Sequence, residues 1–150
     1  MALKRGLKLG RYPYTATRVR AMKSLLLKRD DYARMEKMGF NELIKFLEDH
    51  GYKKEINETA SEYSGLQLLE LALNENLANN VNKVIRISIK KELRNLVELY
   101  ARKWVANNIK IVLRARINGL GMEEVKYGII PVMPADYAVS YTHLTLPTKA

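Results

Sequence analysis

The chain has 150 residues, 47% hydrophobic and 28% charged, with a net charge of +10 and no cysteine. This length suits one domain with its own core, and the lack of thiols excludes disulfides, thiolate metal sites and cysteine nucleophiles. No apolar run approaches the roughly 18 residues of a membrane span, and the first fourteen residues lack the apolar centre of a signal peptide, so a soluble intracellular protein is expected.

The chain opens with a basic leader, residues 1–11, interrupted by Gly6 and Gly10. Pro13 stands where a first helical turn accepts it, because its missing N–H would have no partner there anyway. From Tyr14 to about Lys28, the residues Val19, Met22 and Leu26, widened by Leu25, form an apolar stripe surrounded by Arg18, Arg20 and Lys23. An Arg-rich amphipathic helix can serve at a membrane surface or in a transit segment. The commoner use, a domain's first helix with a solvated face, is the reading adopted. Asp30 and Asp31 open a second, short helix, where negative charge complements the exposed N–H groups. Adjacent residues at a helix start point apart, which favours capping over an acid–base pair. Gly39 ends that helix. Asn41 is expected to cap the next one, which carries Leu43, Ile44, Phe46 and Leu47 and closes at Gly51. His50 falls in its last turn, and with one other histidine and no cysteine no metal site is expected.

Residues 52–63 read as a short polar helix, followed by a turn at Ser64–Gly65. A longer helix from about Leu66 to Val84 places Leu69, Ala72, Leu73, Leu77 and Val81 on one face. Its asparagines (74, 76, 79, 80 and 82) lower helix propensity, so fraying is expected there. Ser88 is expected to cap the following helix. That stretch, Ile85 to Asn118, has the strongest apolar periodicity: Ile85, Ile89, Leu93, Leu96, Val97, Tyr100, Trp104 and Ile111, with a second stripe from Val105 to Ile117. It is predicted to be the central element, with Tyr100, Trp104, Asn108 and Ile111 in the structural core. Asn108 is either an N-cap at a helix break or a core amide that must find partners, and the interrupted stripe favours the cap. Short connections and no convincing strand before Tyr127 predict an all-α, antiparallel helical bundle.

The charge is uneven. Residues 1–29 hold nine Lys/Arg and no acid, residues 30–70 hold ten acids against five bases, and residues 71–122 hold ten bases against three acids. Basic segments flanking an acidic one point to an acidic partner. Two basic clusters are candidate interface residues: Arg18, Arg20 and Lys23, and Arg114 with Arg116. There is no phosphate-cradling glycine loop, and Gly119–Leu120–Gly121 reads only as a helix stop. No catalytic residue, cofactor site or metal site is expected. A basic helical nucleic-acid-binding module is the alternative, although the chain has no helix-turn-helix phrase and no continuous basic stripe.

Two phrases carry a family resemblance. The run from Tyr14 to Leu26 resembles the opening of the C-type subunit of archaeal and bacterial V/A-type ATP synthases, whose counterpart in the eukaryotic V-ATPase is its d-type subunit. Tyr100–Ala101–Arg102–Lys103–Trp104, followed by Asn108–Ile109–Lys110 and Leu113–Arg114, resembles that family's aromatic–Trp–Asn–Ile–Lys–Leu–Arg signature. The segment Glu124 to Pro131 is similar to the family's next stretch, so the resemblance covers roughly residues 12–134. The family usually has Asp where this sequence has Val105, so no carboxylate contact is expected there.

The resemblance implies a non-catalytic adaptor built from three related helical repeats arranged as a funnel. It implies as partners the proteolipid subunits of the membrane rotor ring and the central-stalk subunits, with the protein peripheral to the cytoplasmic face of the membrane. Residues 12–134 leave room for the first repeat, and residues 135–150 are expected to be disordered. The run from Val139 to Ala150, rich in Thr and poor in charge, resembles translated sequencing-adapter fragments and is expected to be non-native.

Overall fold

The computed structural model describes residues 12–133. The predicted leader (residues 1–11) and the predicted disordered and foreign tail (135–150 and 139–150) lie outside these residues. Within them the chain is all-α, as expected, and no strand occurs among the described residues. The helices are α1 (Pro13–Ser24), α2 (Arg29–Met35), α3 (Phe40–Leu47), α4 (Lys53–Thr59), α5 (Gly65–Ile87), α6 (Lys91–Ile117) and α7 (Met122–Val125). A π turn (Glu48–Tyr52) joins α3 to α4, and a 3₁₀ turn (Lys126–Gly128) follows α7.

Most of the predicted punctuation is found. Pro13 occupies the first turn of α1. The Asp31 carboxylate accepts the Lys28 backbone N–H at 2.8 Å, so this acid caps α2. Gly119 closes α6 at φ 70°, and the Leu120 N–H reaches back to the Ala115 carbonyl at 2.9 Å. A side chain at that φ would be strained, and glycine is free of that cost. Two caps differ from expectation. α3 is capped by Gly39 and begins at Phe40, which leaves Asn41 inside its first turn. Ser88 ends α5 instead of starting α6: its hydroxyl donates to the Val84 carbonyl at 2.8 Å, and the extended Lys90 becomes the cap of α6.

The centre of the packing is α5. It is contacted by α1, α4, the π turn, α6 and the 3₁₀ turn. Around its first half, Leu47, Ile56, Leu68, Leu69 and Ala72 form the buried core, with Leu27, Met35, Leu43, Ile44, Tyr52 and Tyr63 packed against it. The expectation that Ile85 to Asn118 is the central element is therefore corrected. Ser88 to Lys90 interrupt it, and α6 lies to one side of α5. Tyr100 is 61% exposed and does not belong to the core, while Trp104 and Ile111 are partly buried. Periodicity marks which residues share a face; α6 has apolar residues on two faces, and the one carrying Tyr100 is uncovered. Replacing Trp104 with Ala is accordingly expected to cost less than the ~3–5 kcal/mol of a fully buried aromatic.

Burial on α6 falls instead on Ala101, Asn108, Val112 and Ala115. Asn108 is 1% exposed in mid-helix, which corrects the cap reading. Its amide meets the segment after the 3₁₀ turn in both directions: Nδ2 donates to the Ile130 carbonyl at 2.7 Å, and Oδ1 accepts the Ile130 N–H at 3.1 Å. Two asparagines of α5 do likewise. Asn74 Nδ2 donates to the Tyr127 carbonyl at 2.7 Å, and Asn82 Oδ1 accepts the Met133 N–H at 3.1 Å. This clasp binds an irregular segment whose own backbone groups have no regular ladder to satisfy them. The expected fraying of the asparagine run is not found, since α5 continues unbroken to Ile87.

Candidate interaction surfaces

The first candidate surface is organised by the way α1 is anchored. Its Thr15 hydroxyl donates to the Ile87 carbonyl at 2.9 Å, and Tyr12 just before it donates to Glu92 Oε2 at 3.2 Å. Both contacts lie at the junction of α5 and α6. Farther along α1, Val19, Met22 and Lys23, with Leu26 just past its end, face Leu73, Asn76, Leu77 and Asn80 of α5 and Tyr52 of the π turn. Between them lies an apolar groove of about 410 Å³. Leu25 and Leu26 are largely exposed at its end.

Of the sequence-predicted interface residues, Lys23 lines this groove, and Arg18 and Arg20 are exposed on the same helix. Arg114 and Arg116 lie elsewhere, exposed in the last turn of α6, where cations complement the helix dipole. α1 begins beside Glu92, and Arg114 lies about 33 Å farther along α6 by helical rise. The two predicted clusters thus stand on different helices, α1 and α6.

Beneath the groove is a polar anchor that sequence reasoning missed. Glu55 is buried, with Oε1 accepting Asn79 Nδ2 at 3.0 Å and Oε2 accepting Asn76 Nδ2 at 3.1 Å. Burial pushes its carboxyl up, but the hydrogen bonds from Asn79 and Asn76 outweigh it, and the group lies below the ordinary glutamate value of 4.5. Glu75 moves the opposite way, raised by burial and by the nearby carboxylates of Glu58 and Glu55. The signal in the sequence was the asparagine run itself, several amides on one helix that here face a buried acid.

These shifts set the direction of the acid response. A lowered Glu55 stabilises the fold above pH 4.5, and that contribution is lost as pH falls through its folded value. A raised Glu75 stabilises only below 4.5, and its contribution is lost as pH rises through its folded value. Asn79→Ala removes one donor from Glu55. It is expected to cost about 1 kcal/mol at pH 7 and to cost less as Glu55 becomes protonated. Urea unfolding followed from pH 7 down through the folded value of Glu55 checks this, and a loss that stays the same throughout would show that the amide does not hold the carboxylate.

The exposed side of α6 carries an aromatic pair. Tyr100 and Trp104 meet edge to face with centroids 5.5 Å apart. Lys103 Nζ sits 3.9 Å from the Tyr100 ring centroid and 4.2 Å from that of Trp104, and it donates to the Tyr100 hydroxyl at 2.6 Å. These are cation–π distances. Among the described residues, no group of three or more His, Cys, Asp or Glu side chains is placed to hold a metal. No described helix is long and apolar enough to cross a membrane.

Comparison with known proteins places this architecture in a family context. The model of the ATP synthase (C/AC39) subunit family matches residues 15–146. The chain is 41% identical over 126 residues to the C-type subunit of the A-type ATP synthase of Methanococcoides burtonii, which covers 84% of this chain and 35% of that relative. It is 42% identical over 119 residues to the corresponding subunit of Methanosarcina barkeri, covering 79% of this chain and 33% of the relative. With that of Haloferax volcanii it shares 37% over 117 residues, covering 78% and 33%. The chain thus spans about a third of the length of these curated relatives. No solved structure matches it.

Proposed function

Because the chain belongs to the ATP synthase (C/AC39) subunit family, we propose that it acts as a non-catalytic adaptor of a V/A-type rotary ATP synthase, joining the central stalk to the proteolipid ring. In this reading it lies at the cytoplasmic face of the membrane, and residues 12–134 form the first of three helical repeats of a funnel-shaped subunit. The observation that carries the proposal is the similarity to the C-type subunits of A-type ATP synthases over most of this chain. The groove beside α1 supports it, since an apolar channel bordered by Lys23, with Arg18 and Arg20 on the same helix, suits a helical partner with acidic flanks. A third of the relatives' length presents only part of such a contact surface, so the chain alone is expected to bind more weakly than a full-length relative.

The test is a pull-down with reconstituted ring and stalk subunits at low salt, run beside duplex DNA and structured RNA. Retention by ring or stalk, weakening as salt screens the α1 cations, is the expected result. Retention by nucleic acid with a steep salt slope, with neither rotor partner bound, would replace the adaptor with the nucleic-acid reading.

A further inference from the structure

The chain leaves α6 through Asn118 and Gly119, and Asn118 is the one asparagine of the sequence followed by glycine. That pairing has a chemistry of its own. Glycine has no side chain to crowd its backbone nitrogen, so this nitrogen can approach the preceding side-chain amide and close a five-membered ring. Both residues are exposed and open to water. In the folded chain, however, the nitrogen is tied down. Asn118 has ψ 2°, and the Gly119 N–H donates to the Arg116 carbonyl at 3.2 Å while the Leu120 N–H donates to the Ala115 carbonyl at 2.9 Å. Gly119 holds the left-handed φ of 70° on which this double closure turns. We propose that Asn118 is a latent site of deamidation, gated by the opening of the backbone closure at the end of α6.

The reaction consumes only water. Once the closure opens, the Gly119 nitrogen gives its proton to a solvent base and bonds to Asn118 Cγ. The Cγ–Nδ2 bond breaks, and Nδ2 takes up a proton and leaves as ammonia. One water then opens the resulting succinimide at either carbonyl carbon. Breaking the new N–Cγ bond yields aspartate, and breaking the original peptide bond yields isoaspartate; nothing is oxidised or reduced. Either product places a carboxylate at the C-terminal end of α6, where the helix dipole opposes it. Isoaspartate also adds a carbon to the main chain, so the Gly119 and Leu120 N–H groups no longer reach their carbonyls together. Conversion thus removes the closure that delayed it, and loss of ammonia prevents return. The effect falls on the link to α7, which packs against α6 and the 3₁₀ turn. The clasp asparagines differ on both counts. Asn74, Asn82 and Asn108 precede Glu75, Lys83 and Ile109, whose side chains crowd the attacking nitrogen, and all three lie inside helices.

This inference does not rest on the adaptor reading and is tested on the full chain alone. The protein is incubated in mildly alkaline buffer, native and in guanidinium chloride, and peptide mapping by mass spectrometry follows every asparagine. In denaturant Asn118 is expected to convert before any other. Native conversion should be about tenfold slower or more, because two backbone hydrogen bonds must open first. The slowing should match the protection of the Gly119 N–H against hydrogen exchange within about threefold. Leu120→Pro deletes one donor of the closure; it should speed native conversion about fivefold and leave the denatured rate unchanged. Circular dichroism checks that this variant keeps its helix content, and if it does not, the exchange comparison on the unsubstituted chain decides. Native conversion as fast as in denaturant, another asparagine converting first in denaturant, or slowing unrelated to Gly119 protection overturns the proposal.

Discussion

Leu47→Ala is expected to cost about 2–5 kcal/mol of folding stability, the range for truncating a buried leucine where the surroundings close in only partly. Leu47 is 1% exposed and sits where α3 turns into the π turn, in the cluster with Ile56, Leu68, Leu69 and Ala72. A void there loosens α3, α4 and α5 together, because all three contribute to the cluster. Leu99→Ala, on the exposed side of α6, is the matched control and should stay within about 0.5 kcal/mol. Urea unfolding followed by far-ultraviolet circular dichroism measures both. Equal losses at the two positions would mean that the core does not lie around the first half of α5.

Asn108→Leu is expected to cost about 2–4 kcal/mol, since it removes both hydrogen bonds to Ile130, leaves that residue's N–H without its acceptor and its carbonyl with only the Val132 N–H, and forces a larger side chain into a buried site. The neighbouring Asn107 is exposed, and Asn107→Leu should be nearly neutral. Asn108→Asp keeps an acceptor for the Ile130 N–H but sets a carboxylate against the Ile130 carbonyl, so it should also destabilise. Urea unfolding measures all three, and a neutral Asn108→Leu variant would show that packing alone holds residues 127–133 against α5 and α6.

The sequence made the helices legible wherever local chemistry decides them. Pro13, the acids of α2, Gly51 and Gly119 mark helix ends through backbone geometry that neighbours alone dictate. Which helix lies at the centre was not legible, because apolar periodicity reports a face without naming what covers it. The Trp104 stripe is as regular as that of α5, yet α5 is the helix with neighbours on several sides. The asparagines of α5 were read through helix propensity, a local quantity, whereas four of the five act through distant partners: Tyr127 for Asn74, Glu55 for Asn76 and Asn79, and Met133 for Asn82. Of the candidate interface residues, Arg18, Arg20 and Lys23 share a helix beside a groove that no residue count announces, since the groove depends on the path of α1 across α5. The family resemblance, carried by the aromatic–Trp–Asn phrase of α6, was legible because such a phrase is local, and the match over residues 15–146 bears it out.

The asparagine clasp also bears on the order in which the molecule can assemble. The two contacts made from α5 join residues 53 and 51 positions apart, while the core cluster is drawn entirely from residues between 47 and 72. Loop-closure entropy makes the nearer contacts the cheaper ones to form first, and chains with local contacts reach them sooner. The α3–α5 core can therefore condense before the segment from Tyr127 to Met133 exists as anything but a tether. The amides then select the one register in which carbonyls and N–H groups at 127, 130 and 133 all find partners. A segment too short and irregular to form a helix or a sheet acquires its conformation last, from a template already standing.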